Sequence, residues 1–298
     1  MGKRKVKFNP LAVFLGAVLI TYTLILFFFI FYDFYSSLKT RIEFRQSAIS
    51  FPSDWFGGFA NYAEALDAVK MEAATDQIGV KRTFYLEDMF LNSLGYALGC
   101  SFTATLVPCL VAYVTAKYRF RFNSVLYMTV IFVMVTPIVG SAPSQIYVMD
   151  ELFGIYNSFF GMWFMTANFL GTYYLVFYGI FKGLSWEYAE AAFIDGASHL
   201  NVMVRVMFPL IRTTFGVVML LNFITYWNDY STPLLFMPKY PTAAIGVQFF
   251  SRAADNKYKA HVPIRLAASV LLMAPVLITF VLFRNKLAGN LTVGGIKG

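Results

Sequence analysis

The chain is poor in residues that make or break bonds. Its two histidines, His199 and His261, have no metal-ligand or triad neighbour in sequence, and each reads as a surface or interface residue. Cys100 and Cys109 share one apolar segment and suit small buried hydrophobes better than a disulfide framework or a thiolate metal site. A G-x-x-x-x-G-K-S/T phosphate loop is missing, so the chain is not expected to hydrolyse ATP itself. No catalytic residue and no metal site are expected. What the sequence does offer is a polar stripe. Asn222, Thr225, Tyr226 and Asp229 recur at i, i+3, i+4 and i+7, which puts them on one side of a helix. Asn168 and Thr172 lie one turn apart in another apolar segment. Polar groups at membrane depth face protein or a water-filled cavity, so these six residues are the candidate lining of a polar path. The plainer alternative is that they hold helices together.

The elements that must carry this stripe are membrane spans. Of the 298 residues, 58% are hydrophobic, 19% aromatic and only 13% charged. A soluble domain carries roughly 25% charged residues, so a water-soluble core is excluded. The net charge of +8 does not signal nucleic acid, because the basic residues cluster at the ends of apolar runs, where they anchor helices. A bilayer core of about 30 Å needs roughly 20 apolar residues in a helix. Gaps between charges give six such segments, at about 10–32, 91–115, 123–145, 159–181, 213–236 and 266–284, the fifth interrupted only by Asp229. These are helices, since strands would have to alternate and close into a barrel. The first apolar stretch is too long for a signal-peptide core and no small-residue cleavage pattern follows, so it is read as a retained span. The fold class is therefore an all-α integral membrane protein, with 1–298 as one transmembrane domain. Gly95 and Gly99, four apart, suit close helix packing or are ordinary small residues.

Basic residues in the short loops orient the chain. With the N-terminus inside, the cytoplasmic pieces carry Lys3, Arg4, Lys5, Lys7, Lys117, Arg119, Arg121, Lys182, Arg205, Arg212, Arg284, Lys286 and Lys297. The outer loop 144–158 has none, although the loop 238–263 is basic as well. Both termini are expected in the cytoplasm.

One segment, 186–212, is of a different kind. Two short helical patterns, 186–194 and 198–208, meet at Asp195-Gly196, a turn signal, and Pro209 closes the second. Ala189, Ala191, Ala192 and Ala197 keep the surface low, and Glu190 and Asp195 add exposed carboxylates. Such a helical elbow suits a docking surface; an amphipathic re-entry helix lying on the membrane is the alternative.

The string Glu190-Ala191-Ala192, Ile194-Asp195-Gly196-Ala197-Ser198, Arg205 and Pro209-Leu210 is similar to the EAA loop of bacterial ABC importer permeases. More narrowly, the chain resembles the carbohydrate-uptake branch, like the second membrane subunit of maltose importers. Supporting strings are Asn92-Ser93-Leu94, Ala112-Tyr113, Trp227-Asn228-Asp229-Tyr230, Pro233-Leu234-Leu235 and the terminal Gly294-Gly295-Ile296-Lys297-Gly298. Phe193 stands where the family usually has a basic residue, and Thr213 replaces a common proline.

The resemblance implies a type I ABC importer permease in a bacterial cell membrane, in contact with membrane lipid. It pairs with a second homologous permease, usually a different chain, and an ATPase dimer that binds ATP and magnesium drives it. An extracytoplasmic solute-binding protein delivers the solute, a sugar or oligosaccharide, whose hydroxyls suit the Asn, Thr and Tyr stripe. Coupling to the ATPase is expected at Glu190, Ala191, Ala192, Asp195, Gly196 and Ala197. The loop 238–263 is expected to touch the binding protein and the tail 292–298 to reach the ATPase. The rival reading is a secondary transporter or channel not driven by ATP. It would normally carry ionisable groups inside its spans or paired interrupted segments, and only Asp229 qualifies.

Overall fold

The computed structural model describes residues 10–74, 80–136, 140–252 and 261–290. Their contacts define two compact units. The first comprises the described residues of Met1–Val69 and Phe249–Met273. It opens with α1 (Pro10–Ser37), a helix that is apolar on every side and has no charge before Asp33. After it comes α2 (Arg41–Gln46), started by a reciprocal cap: the Glu43 amide donates to Thr40 Oγ1 and the Thr40 amide to the Glu43 carboxylate. Then follows α3 (Ala60–Ala68).

The second unit comprises the described residues of Lys70–Gln248 and Ala274–Gly298. It begins with a hairpin, β1 (Lys70–Ala74) antiparallel to β2 (Lys81–Tyr85), with Lys70 opposite Tyr85. The sequence predicts a surface helix over 62–74, yet the helix stops at Ala68. A partner strand, invisible to a local reading, takes the backbone hydrogen bonds of the last five residues. Next come α4 (Leu86–Lys117), α5 (Asn123–Val135), α6 (Ala142–Tyr147), α7 (Phe159–Thr166) and α8 (Thr172–Gly183). After them come α9 (Glu187–Ile194), α10 (His199–Asn201), α11 (Phe208–Asn228) and α12 (Ser231–Phe236). The chain closes with α13 (Ala243–Arg252) and α14 (Val262–Asn290), each divided between the two units.

Among the described residues, four helical stretches are long and apolar enough to cross a membrane: Pro10–Ser37, Leu86–Lys117, His199–Asn228 and Val262–Phe283. α5 is a shorter apolar helix, and the segment expected as one span at 159–181 is two helices, α7 and α8, separated by residues 167–171. The hub of the second unit is α4, which packs against α7, α8 and α11. Cys100 and Cys109 are both free and buried on it. Gly99 gives it a close approach: a Cβ there would fall 1.9 Å from the indole nitrogen of Trp163, which donates to the Gly95 carbonyl at 3.1 Å. The glycine pair thus does pack closely, against α7.

The elbow departs from expectation at Pro209. Rather than closing the second arm, the proline stands in the first turn of α11, and the helix runs without interruption from His199 to Asn228. Residues Val202–Met207 form a π turn. A proline inside a helix lacks the amide of one hydrogen bond and clashes with the carbonyl four residues back; the wider π turn accommodates both.

Candidate functional site

The break in the fourth apolar segment is where the polar residues gather. α7 ends at Thr166 and α8 starts at Thr172, with no side-chain cap on its first amides. Non-helical backbone at membrane depth is tolerated only where it is buried in protein or lines a cavity. Here it lines a cavity of about 430 Å³, bounded by Thr166, Asn168, Thr172, Tyr173, Asn222 and Tyr226 together with apolar residues that include Pro108 of α4. Four of the six residues expected on the path therefore meet around one space: Asn168, Thr172, Asn222 and Tyr226. The lining holds no charged side chain.

Asn222 is buried, and its Nδ2 donates to Thr105 Oγ1 at 2.9 Å, which in turn donates to the Ser101 carbonyl at 2.7 Å. The same wall carries a hydroxyl pair, Thr103 and Thr166, at 2.8 Å. Tyr174, fully buried, meets Thr115 Oγ1 at 2.9 Å. Thr103, Thr105, Thr166 and Tyr174 were not expected to take part. The signal for them was weak, because a hydroxyl can always donate to its own helix, and only the packing of α4 against α7, α8 and α11 gives these groups outside partners.

Two expected path residues lie elsewhere. Thr225 is exposed, off the cavity, and its hydroxyl donates to the Leu221 carbonyl of its own helix at 2.9 Å. Asp229 is a clasp. Its Oδ1 accepts from the amides of Ser231 (2.9 Å) and Thr232 (3.1 Å), starting α12, and its Oδ2 accepts from the hydroxyl of Tyr96 on α4 at 3.1 Å. Of the stripe read from spacing, Asn222 and Tyr226 line the cavity and Thr225 does not, while Asp229 lies past the end of α11 at Asn228, where the chain turns.

The elbow lies between α8 and α11. Gly196 has φ +81°, and the amides of Gly196 and Ala197 donate to the carbonyls of Phe193 (3.0 Å) and Ala192 (2.9 Å). This is a Schellman turn, which closes the end of α9 with its own backbone. Glu190, Ala191, Ile194, Asp195 and Gly196 are exposed, while Ala189 is buried and Ala192 and Ala197 pack partly into the core. The exposed face is thus narrower than the six expected residues. The inner angle is filled by rings: Phe193 stands edge-on to His199 at 4.8 Å, and Tyr118, just past α4, meets Trp186 at 5.7 Å. Tyr118 and His199 Nδ1 share a hydrogen bond of 2.9 Å, and Lys117 Nζ donates to the Leu184 carbonyl at 2.6 Å. Of the remaining expected contact segments, 253–260 and 291–298 lie outside the described residues.

A many-helix membrane chain with a broken span over a cavity and a turn-locked elbow defines a transport component. A solved bacterial ABC transporter involved in the import of the acidic polysaccharide alginate has the same fold, with a TM-score of 0.72 at 18% identity over 96% of this chain and 99% of that one. The diacetylchitobiose uptake system permease protein NgcG of Streptomyces coelicolor is 26% identical over 283 residues, 94% of this chain and 87% of that protein. The maltodextrin transport system permease protein MdxG of Bacillus subtilis is 29% identical over 226 residues, 72% of this chain and 77% of that one.

Residues 104–288 match the family model described as binding-protein-dependent transport system inner membrane component, and the chain belongs to that family. It is a multi-pass permease subunit of an ABC importer, working with a separate ATPase and a binding protein.

Proposed function

We propose that this chain forms part of the translocation path for an uncharged sugar or oligosaccharide, through the cavity at the broken span. The observation that carries this is the cavity of about 430 Å³ walled by Asn168, Thr172, Asn222 and Tyr226 without a charged side chain. Amides, hydroxyls and aromatic faces match a ring of hydroxyls on an apolar skeleton, and α8 starts at the cavity without a side-chain cap, its Tyr174 amide returning to the Gly171 carbonyl at 3.2 Å. The names of the two curated relatives, uptake of diacetylchitobiose and of maltodextrin, favour the same solute class. A second homologous permease completes the path from the other side, as a heterodimer. ATP and magnesium bind on the ATPase pair.

The elbow is the joint to that ATPase, through Glu190, Ala191, Asp195 and Gly196 on its exposed face. Both termini and the elbow lie in the cytoplasm, a reading supported by the basic residues Lys117, Arg119, Arg121, Lys182, Arg205 and Arg212 on one side. The test of the path is the double variant Asn222→Ala, Tyr226→Ala in the reconstituted importer. The expected result is a several-fold higher KM for uptake, with the complex still assembled. Unchanged uptake kinetics would remove the cavity from the path.

A further inference from the structure

The turn between α1 and α3 is polar within and apolar without. Lys39 is fully buried, and its Nζ donates to the carbonyls of Ser47 (3.2 Å) and Ala48 (2.8 Å). Glu43 accepts from the Thr40 amide at 2.8 Å, the Ser53 amide at 3.0 Å and the Ser53 hydroxyl. Asp54 accepts from the amides of Phe56 (3.0 Å) and Gly57 (2.9 Å). Asn61 Nδ2 ties α3 to the end of α1 through the carbonyls of Ser37 (2.7 Å) and Lys39 (2.9 Å). Gly58 sits so close to the Leu38 carbonyl that a Cβ would fall 2.1 Å from its oxygen. These bonds hold the loop, and several of its large side chains lie outside them: Phe56 is 87% exposed, Ile49 74% and Phe51 62%. Ile42 and Phe59 are exposed beside them.

Depth follows from α1. At about 1.5 Å per residue a 28-residue helix is roughly 42 Å long, against about 30 Å of hydrocarbon, so its last turns lie at headgroup level. The first charge in the helix, Asp33, marks the same boundary. The ring of Phe51 packs at that level, 5.0 Å from Tyr35 and 6.3 Å from Phe31, and Trp55 stacks on Phe51 at 6.2 Å. The patch therefore continues the apolar surface of the span, whose most apolar stretch buries nothing within the chain. Aromatic residues at this depth, with Arg45 and Gln46 exposed beside them, have the composition of a membrane–water interface. An apolar surface held this rigidly in water would be an aggregation liability unless something covers it.

We propose that Ile49, Phe51 and Phe56 insert into the lipid headgroup layer where α1 ends, as an interfacial anchor that fixes the depth of the first span. The lipid is chosen over a protein partner because the patch is continuous with the span and lies at its headgroup level.

The experiment uses the complete transporter in vesicles of phosphatidylcholine and phosphatidylglycerol, with cysteine-free partner subunits. A nitroxide is attached at Phe56→Cys, an almost wholly exposed position whose replacement leaves the loop's hydrogen bonds intact; Ile49→Cys is the second site. The native cysteines are buried, and the unsubstituted chain is the labelling control. Collision with oxygen is compared with collision with a water-soluble nickel chelate. The expected ratio favours oxygen several-fold over that at Glu64→Cys on exposed α3, and falls short of that at Leu19→Cys in mid-span. Nickel dominance at both sites would mean open water, and shielding from both reagents would mean a protein cover; either overturns the anchor.

Discussion

Two of the helix breaks in the second unit are opposites. At 195–197 the turn between α9 and α10 is closed by its own backbone, with both amides after the helix returned to its carbonyls and the inner angle packed with rings. At 167–171 the turn between α7 and α8 is more open: α8 starts without a side-chain cap, with one of its first amides, that of Tyr174, returned to the Gly171 carbonyl at 3.2 Å, and its first residues line the cavity. A closed break holds an angle and transmits force. An open break holds donors in place for something else to bind. On the function proposed above, one chain has a joint and a binding wall made from the same device, and the difference lies in what satisfies the backbone.

The largest effect is expected from breaking the closed turn. Gly196 has open space around its Cβ position, so size is not the constraint; φ of +81° is. A left-handed conformation costs an L residue roughly 1–2 kcal/mol, and a β-branched one more. Gly196→Val should insert and pair normally while uptake and substrate-stimulated ATP hydrolysis fall by about tenfold or more, the equivalent of about 1.4 kcal/mol or more at the joint. Asn tolerates positive φ, so Gly196→Asn should keep most of both activities. Equal loss in the two variants would mean that side-chain contact, and not the angle, matters at this position.

A smaller effect is expected at the ring cluster inside the elbow. Tyr118 ties the elbow to the end of α4, and Pro108, inside that helix, borders the cavity. Tyr118→Ala should leave the ATPase bound but lower the solute imported per ATP hydrolysed, whereas Tyr118→Phe, which keeps the rings and loses only the hydrogen bond, should sit between. An unchanged ratio in Tyr118→Ala would leave α8 and α11 as the only spans that the joint drives. Below that in effect lies Gly99, where overpacking costs about 1–3 kcal/mol. Gly99→Val should lower the melting temperature of the purified complex, because its Cβ meets the Trp163 indole, while Gly216→Ala, with nothing within 4 Å, should not.

How well each break could be read from sequence follows the same division. The elbow was legible because Asp195-Gly196 is a local signal, and a positive φ is a demand that one residue can meet alone. Its second arm was misread at Pro209, since a π turn leaves no mark in a single sequence. The open break was legible only in its polar residues: Asn168 and Thr172 stand out in the uncharged segment 159–181, but nothing local shows that the helix stops between them until α4 and α11 are packed beside it. The same packing separated Asn222 and Tyr226 from Thr225 and Asp229, which a helical stripe cannot tell apart. Helix periodicity gives a side; it does not say where the helix ends or which neighbour it meets.

The smallest effect, and the sharpest contrast, comes from placing one methyl group at each break. Gly171 has φ 171°, extended backbone that any residue adopts, and a Cβ there meets nothing within 4 Å. Gly196 has the same empty surroundings but a left-handed backbone. If the open break is a wall and the closed one a joint, Gly171→Ala should leave assembly, melting temperature and maximal ATP hydrolysis unchanged and move only the KM for uptake, by about twofold or less. Gly196→Ala should do the reverse, lowering coupled hydrolysis with little change in KM, since its strain of about 1 kcal/mol falls on the angle and not on the cavity. Thr225→Ala, off the cavity and bonded only to its own helix, serves as the silent control for both. A fall in coupled hydrolysis with Gly171→Ala would mean that the break in span four moves during the cycle and is a second hinge, and the division between wall and joint would then have to be given up.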